Sequence, residues 1–406
     1  MKKLSKRITL LVLAFCMLFV FAACSSKEDG GAPEAAMNGA ADGNAEGQQP
    51  PAGLLTAGAW NDNENYADWN ALFAQNGDQT GKFFSYYGAA SWGFATQNRV
   101  KVTVTNGQAP IAGASVVCKN ASGDAVFGAV TDALGVAYLF PTEQSGTVTA
   151  VLGTASSEAS FTADARDVTL TLDTQSAKQN VIELMFVVDV TGSMGDELTF
   201  LKNEISDVVR RVASDNSGVQ IDLALLFYRD QTDKEPFCYY DFQNVTDPQG
   251  LSAQQDAINS QKASGGGDFP EAVDEALERA VNAQWSSGAT TKIIFQILDA
   301  PPHETQENQT RLHTAALRAA EKGIRFCPVL CSGADTLTEY LMRQIAICTG
   351  GTFVFITDDS GIGNAHHDPQ LPNATVEALN ELMIRLINGY HSGRFAPPVS
   401  WRENLQ

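Results

Sequence analysis

Five continuous apolar runs in the second half of the chain constrain its fold more than any other feature. They are VIELMFVVD, VQIDLALLFYRD, KIIFQILDA, IRFCPVL and GTFVFIT, and they lie between residues 181 and 357. Apolar residues that are continuous rather than alternating indicate strands buried on both faces, as in mostly parallel sheets covered by helices. The segments between the runs show helical spacing, first in the stripe Leu198, Leu201, Ile205, Val208 and Val212. We therefore expect a doubly wound α/β domain with a mostly parallel sheet over residues 181–393.

Residues 98–176 show a different period. Apolar and polar residues alternate in VKVTVT, and the turn signals Asn106-Gly107 and Ser122-Gly123 follow. Turns spaced by about 8–12 residues are typical of a small all-β sandwich. The strings PIAGASVVC and AVTDALGVAYLF resemble the carboxypeptidase-regulatory-like, immunoglobulin-type β domains of bacterial surface proteins. That resemblance implies a spacer rather than a catalyst.

Residues 54–97 are rich in aromatic side chains. Tyr66, Trp69, Leu72 and Phe73 fall at helical spacing and predict a short helix that packs on a neighbour. The acidic start of this segment lacks the central Gly and the closing Glu of a helix-loop-helix calcium site, so helix capping is the interpretation that we adopt.

The first 53 residues predict export and a tether. Basic residues precede the apolar run Ile8–Ala23, which is short for a membrane span of about 20 residues but typical of a secretory signal. The run ends in FAAC, which resembles a bacterial lipoprotein signal and implies a signal peptide over 1–23 and a lipid on Cys24. Residues 24–53 are rich in Gly, Ala, Pro and polar residues and contain no aromatic or β-branched residue, which predicts a disordered tether. We expect a protein anchored to the extracytoplasmic face of a bacterial cell membrane, with an uncleaved anchor or plain secretion as the alternatives.

Charge and cysteine content exclude some classes of function. A formal net charge of −20 argues against nucleic acid as a partner, because phosphate binding needs clustered Lys and Arg. Five cysteines follow Cys24, an odd number, so no complete disulfide framework is expected. Cys327 and Cys331 would lie about 13 Å apart on a strand, whereas a disulfide needs Cα atoms within about 7 Å. They are expected to be buried free thiols, and their apolar strand does not predict a zinc site.

The loop after the first apolar run carries the chemistry. In VVDVTGSM, the residues Asp189, Thr191 and Ser193 place three oxygen ligands at alternate positions where the strand ends. Ligands of doubly wound sheets bind outside the carboxyl ends of the strands, near the switch in strand order. Oxygen ligands suit a hard divalent cation such as magnesium. The alternative is a turn that merely begins the helix.

This string resembles the first element of the metal-ion-dependent adhesion site of von Willebrand factor type A domains. SGGGDFPEAVDEAL, residues 264–277, resembles the second loop, and FQILDAPPH, residues 295–303, resembles the third, whose aspartate corresponds to Asp299. The resemblance covers about 181–393. It implies a divalent cation, with magnesium first and calcium or manganese as alternatives, and a protein partner whose acidic residue completes the metal site.

The second loop departs from the common family pattern, in which a Thr hydroxyl contacts the metal. Asp268 holds the nearest matching position, so we predict it as a metal ligand. Asp268, Pro270 and Glu271 also form a helix-start pattern, and a purely capping role for Asp268 stays open at this point. Gly265–Gly267 would let the backbone approach a metal closely.

The function predicted from the sequence is partner binding, in adhesion or in assembly of an envelope complex, and not catalysis. Haloacid-dehalogenase-like hydrolases need a second acid two residues after the first, where this chain has Thr191. His303 falls near the rim of the site, and His366 and His367 form a polar loop. A structural envelope scaffold with a purely stabilising metal is the main alternative, and a metal-dependent hydrolase is the weaker one.

Overall fold

The computed structural model of the protein describes residues 51–176, 180–287, 290–369, 371 and 374–403. Gln49–Gln406 forms one compact unit. The predicted signal peptide, Cys24 and the predicted tether up to residue 50 lie outside the described residues. Among the residues described, none of the helices is both long enough and apolar enough to cross a membrane.

An eight-stranded sheet organises the α/β part, and the mixed α/β fold with a mostly parallel sheet is confirmed. Its strands are β1 Thr56–Trp60, β11 Val181–Asp189, β12 Gln220–Tyr228, β13 Phe237–Asn244, β14 Thr291–Leu298, β15 Ile324–Leu330, β16 Phe353–Ile356 and β17 Glu377–Ala378. The order is β13-β12-β11-β14-β15-β16-β1-β17. The central strands β12, β11, β14, β15 and β16 are parallel to one another, while β13 and β1 run antiparallel to their neighbours. The chain passes from β11 to β12 on one side and returns to β14 on the other, so the carboxyl ends of β11 and β14 flank the switch in strand order.

Helices cover both faces of this sheet. They are α1 Tyr66–Ala71, α2 Leu198–Asp215, α3 Pro248–Asn259, α4 Val273–Val281, α5 Gln306–Glu321, α6 Thr336–Thr349 and α7 Leu379–Ser392. Buried residues of α2, α3 and α7 share one hydrophobic core, and those of α4, α5 and α6 share the other. Val187 and Val188 point into different cores because successive side chains of a strand alternate between the faces of the sheet. Double burial explains why the apolar runs are continuous.

Two small sheets form the β part. The strands are β4 Val100–Thr105, β5 Ser115–Lys119, β6 Ala125–Val130, β7 Val136–Leu139, β8 Gly146–Leu152, β9 Ala155–Phe161 and β10 Asp167–Thr171. One sheet has the order β10-β4-β7 and the other β6-β5-β8-β9. Their inner side chains, such as Val102 and Val148, are buried in the core that also contains α5. The pair β4–β10 is parallel, which alternation along a strand cannot reveal. Assignment of this part to the immunoglobulin-type domains stays a prediction.

The aromatic-rich segment belongs to the α/β part. Its first strand, β1, pairs with β16 and β17, although the sequence places the beginning of the α/β domain at 181. Gly53, which the sequence assigns to the tether, donates its N–H to the Glu204 carboxylate at 2.9 Å. The predicted short helix is α1. It ends at Ala71, before Leu72 and Phe73 of the predicted stripe, and β2 Gln75–Asn76 and β3 Gln79–Thr80 form a hairpin after it.

A buried ion network fixes this segment to α6. Arg343 is 1% exposed, and its Nε donates to Asp62 Oδ2 at 3.0 Å. Its Nη1 donates to Glu339 Oε1 at 2.9 Å, and Glu339 also contacts Lys82 and His367. Asp62 lies in the acidic stretch interpreted as helix capping, yet its carboxylate serves as the partner of a buried guanidinium.

The prediction of buried free thiols is confirmed for Cys327 and Cys331. All five cysteines of the described chain are free thiols, and Cys118, Cys327, Cys331 and Cys348 are buried. Burial raises the pKa of Cys327 to about 12, so its reactive thiolate form is suppressed at neutral pH.

Candidate metal centre

Three loops meet at the carboxyl edge of the large sheet. The first follows β11, the second precedes α4 and the third follows β14. Gly192 N donates to Gly265 O at 3.1 Å, and Ser264 N donates to Val190 O at 3.0 Å, so backbone hydrogen bonds join the first and second loops. Glu271 N donates to Pro301 O at 2.9 Å and joins the second loop to the third.

The first loop holds its oxygen atoms together. Asp189 is fully buried, and its Oδ1 accepts the Thr191 N–H at 2.8 Å and the Thr191 hydroxyl at 2.7 Å. The hydroxyls of Thr191 and Ser193 are 3.1 Å apart. Gly192–Gly195 forms a short 3₁₀ turn, and α2 begins only at Leu198. Thr191 makes no side-chain hydrogen bond to cap that turn, so helix capping does not account for the loop.

Asp299 brings a second carboxylate to the same place. It is 3% exposed, and it follows β14, the strand that pairs with β11. Asp189 Oδ2 and Asp299 Oδ1 are both buried, and neither accepts a hydrogen bond from any described residue. Buried carboxylate oxygens without partners are costly unless a cation or a proton neutralises them. The structure thus brings together four of the five predicted ligands: Asp189, Thr191, Ser193 and Asp299.

The electrostatics of the two carboxylates follow from burial and proximity. Burial, and after it the negative charge of Asp299, raise the pKa of Asp189 to about 7. Burial also raises the pKa of Asp299 to about 6, although a hydrogen bond from Ser193 opposes the shift. Both carboxyl groups therefore bind protons more tightly than free aspartate does, and a divalent cation would compete with those protons.

The glycines of the second loop serve close packing. Gly265 and Gly266 have φ angles of 81° and 78°, which side chains rarely adopt. A Cβ on Gly266 would lie 2.9 Å from Glu271 Oε1 and 3.4 Å from Thr191 Cβ. Gly266 N donates to Asp233 Oδ2 at 2.9 Å. The backbone of the second loop thus lies close to the side chains of Glu271, Thr191 and Asp233, which surround the site.

Asp268, the fifth predicted ligand, belongs to a group of donor atoms from other residues. It is exposed, and its carboxylate lies with Asp230 and His303, the donor atoms of all three being within 4.8 Å of one another. Capping of α4 by Asp268 is wrong, because α4 begins at Val273 with Ala272 at its N-cap and no side-chain cap. The chain bends at Asp268–Phe269, four residues before the helix starts.

Glu271 is the acidic residue that sequence reasoning missed. It is 3% exposed, and its Oε2 has no hydrogen-bond partner among the described residues. Burial raises its pKa to about 9, and the negative charges of Asp189, Asp230 and Asp299 add to the shift. The motif GGGDFPEA contained the signal, since Glu271 is the second acid of that string, but it was interpreted as part of a helix start.

The loop with the paired histidines packs beside the first loop. His366 Nε2 lies 2.7 Å from Glu197 Oε1, and its Nδ1 lies 2.7 Å from Asp358 Oδ1. Asn364 N donates to Asp196 Oδ2 at 2.9 Å. Since Asp196 and Glu197 precede α2, these contacts fix the position of the 3₁₀ turn that carries Ser193.

Part of the chain matches a known family. The sequence model of the von Willebrand factor A domain family matches residues 183–358. An ariadne-like RING finger protein of Acanthamoeba polyphaga mimivirus is 31% identical over 129 residues, which are 31% of this chain and 12% of that protein. The match to residues 183–358 begins in β11 and ends after β16, so it contains all three loops of the site.

Two solved structures are among those similar to the chain. The pilus adhesin SpaC of Lactobacillus rhamnosus GG, in its open conformation, is 12% identical with a TM-score of 0.34, and the match covers 51% of this chain and 29% of the adhesin. The conserved hypothetical protein BatB of Bacteroides thetaiotaomicron is 19% identical with a TM-score of 0.32, over 43% of this chain and 89% of that one. The chain thus spans less than a third of the viral relative and of the adhesin.

Proposed function

We propose, from the match of residues 183–358 to the von Willebrand factor A domain family, that Asp189, Thr191, Ser193 and Asp299 bind a divalent cation through which a protein partner attaches. The observation that carries the proposal is the pair of buried oxygens without partners, Asp189 Oδ2 and Asp299 Oδ1. Two hydroxyls lie beside them, and an all-oxygen set of this kind fits magnesium first and calcium or manganese next.

Each residue of the site has a separate role in this proposal. Asp189 would supply charge through Oδ2 while its Oδ1 fixes the Thr191 hydroxyl. Ser193 would extend the row of oxygens toward Asp299. A bound cation would supply a Lewis-acidic position for a carboxylate from the partner. With two carboxylates rather than three in this set, that position would stay attractive to an acidic residue.

We further propose that the protein is exported and lipid-anchored through Cys24 at the extracytoplasmic face of a bacterial cell membrane. The support is the basic start, the apolar run and the FAAC string of the sequence. An adhesion or envelope-assembly role would then place the metal site outside the cytoplasm. The role proposed is binding and not catalysis. A structural scaffold with a stabilising metal is the alternative.

Thermal melting of the whole chain with chelator and with magnesium separates these roles. The protein should stay folded in chelator, because both hydrophobic cores consist of apolar side chains and include none of the four proposed ligands. Magnesium at about 100 times its Kd should add about 2.7 kcal/mol to the free energy of unfolding. Asp299→Asn keeps the side-chain shape and removes the charge, so most of this gain should disappear.

Two results would decide against the proposal. Equal melting of the parent with and without magnesium would exclude cation binding at this site. Unfolding in chelator alone would favour the scaffold with a structural ion, because a binding site should lose its partner in chelator while the domain remains folded.

A further inference from the structure

A second group of metal-ligating side chains lies beside the first, at the same edge of the sheet. Asp230 follows β12, Asp268 lies in the second loop, before α4, and His303 follows β14. Their donor atoms all lie within 4.8 Å of one another. Three separate loops supply them, so the grouping results from the fold and not from neighbouring positions in the sequence.

The spacing within this group suits a shared cation. His303 Nε2 lies 3.1 Å from Asp230 Oδ1. Two ligands about 2.0–2.1 Å from one ion, at angles of about 90–110°, are themselves about 2.9–3.4 Å apart. A cation could therefore enter between these two atoms with little movement of either side chain.

The group also has a graded exposure. Asp230 is fully buried and its Oδ2 accepts the Thr232 N–H at 3.3 Å, which fixes the carboxylate. The His303 side chain is 25% exposed, and Asp268 lies at the surface. A fixed anionic ligand at the base and a carboxylate at the mouth leave an open path for a cation from solvent.

Glu271 gives an independent indication of a ligand here. Its N–H donates to Pro301 O at 2.9 Å, and the N–H of Ala272 donates to Arg229 O at 3.3 Å. These two hydrogen bonds place the backbone of Glu271 between Arg229, which precedes Asp230, and Pro301, which lies two residues before His303. Its Oε2 is buried without a hydrogen-bond partner among the described residues. A cation would satisfy that oxygen, which is costly to bury alone.

We propose that Asp230, Asp268 and His303 form a second divalent-cation site, completed by Glu271, next to the site at Asp189. The mixed nitrogen and oxygen set selects a borderline cation of the zinc or manganese class, whereas the all-oxygen set at Asp189 selects magnesium. The two sites share no ligand among Asp189, Thr191, Ser193 and Asp299. The second site therefore stands or falls independently of the proposed function.

Calorimetric titration of the whole chain with zinc, after removal of metals by chelation and in the presence of saturating magnesium, tests the proposal. The parent should bind zinc with magnesium present. His303→Gln should weaken zinc binding by at least about tenfold, since loss of even an outer-shell partner costs about 10–100-fold. The amide of Gln still donates to Asp230, so this variant should fold. Asp268→Asn should also weaken zinc binding, and its exposed position makes a folding defect unexpected.

Matched variants separate the two sites. His391→Gln removes a histidine beside Thr291, at the opposite edge of the sheet, and should bind zinc like the parent. Asp189→Ala should lose magnesium and keep zinc. Zinc binding that Asp189→Ala abolishes and His303→Gln leaves unchanged would overturn the second site. Magnesium binding that survives Asp189→Ala would overturn the first site, whatever zinc does.

Discussion

Asp189→Ala should lower magnesium affinity by at least about 100-fold while the domain remains folded. Asp189 is the fully buried carboxylate at the end of β11, and its Oδ2 has no other described partner. Removing a direct anionic ligand should cost at least as much as the upper end of the about 10–100-fold loss measured for outer-shell partners. The strand behind it is held by ladders to β12 and β14 that the substitution does not touch. Titration calorimetry with magnesium, manganese and calcium measures the effect.

The matched control is Asp222→Ala. Asp222 also lies on a strand of the sheet, in β12, but near the start of that strand, where Glu183 of β11 is its register partner. It should leave magnesium affinity unchanged. Magnesium binding by Asp189→Ala that equals that of the parent would remove the basis of the adhesion-site interpretation.

Asp189 should also make the stability of the metal-free protein depend on pH. The pKa of Asp189 is raised to about 7, above that of an unfolded aspartate. Because the pKa of Asp189 is higher in the folded protein, its contribution to stability is fully present below the pKa of an unfolded aspartate, about 4. That contribution is lost as pH rises through about 7. In chelator, the free energy of unfolding of the parent should therefore fall more than that of Asp189→Ala as the pH rises from 4 to 8. Melting curves across this range check the sign.

Asp62→Ala should lower the free energy of unfolding by about 3–5 kcal/mol. It leaves Arg343, which is 1% exposed, with one of its two carboxylate partners removed. Breaking a buried ion pair on one side is costly because the remaining charge stays buried without compensation. Urea denaturation of the metal-free protein measures the loss.

Two further variants test that explanation. Glu307→Ala removes the ion pair between Glu307, whose side chain is 79% exposed, and Arg311. It should change the free energy of unfolding by no more than about 0.5 kcal/mol. Arg343→Met in the Asp62→Ala background should restore part of the loss, because the uncompensated charge is gone and Glu339 keeps Lys82 and His367. A loss for Asp62→Ala no larger than that for Glu307→Ala would show that the pair does not stabilise the fold.

Local sequence pattern was sufficient for the α/β class and for much of the site. The five apolar runs became β11, β12, β14, β15 and β16, because strands buried on both faces must be apolar throughout. Asp189, Thr191, Ser193 and Asp299 were predictable as a group because each follows a central strand, and the carboxyl ends of parallel strands lie at one edge. The stripe from Leu198 to Val212 is buried as its spacing requires.

Contacts between distant parts of the chain were decided only by the tertiary structure. Nothing local marks β1 as a partner of β16, since their register joins residues about 300 positions apart. Asp62 resembled a capping residue until Arg343 of α6 was placed against it. Asp268 does not cap α4, and Glu271 is buried rather than part of the first helical turn, because α4 begins at Val273, four residues later than a helix start with Asp268 as its N-cap implies. Spacing along a chain fixes which face a side chain occupies, whereas its partner across the fold depends on packing that no short window contains.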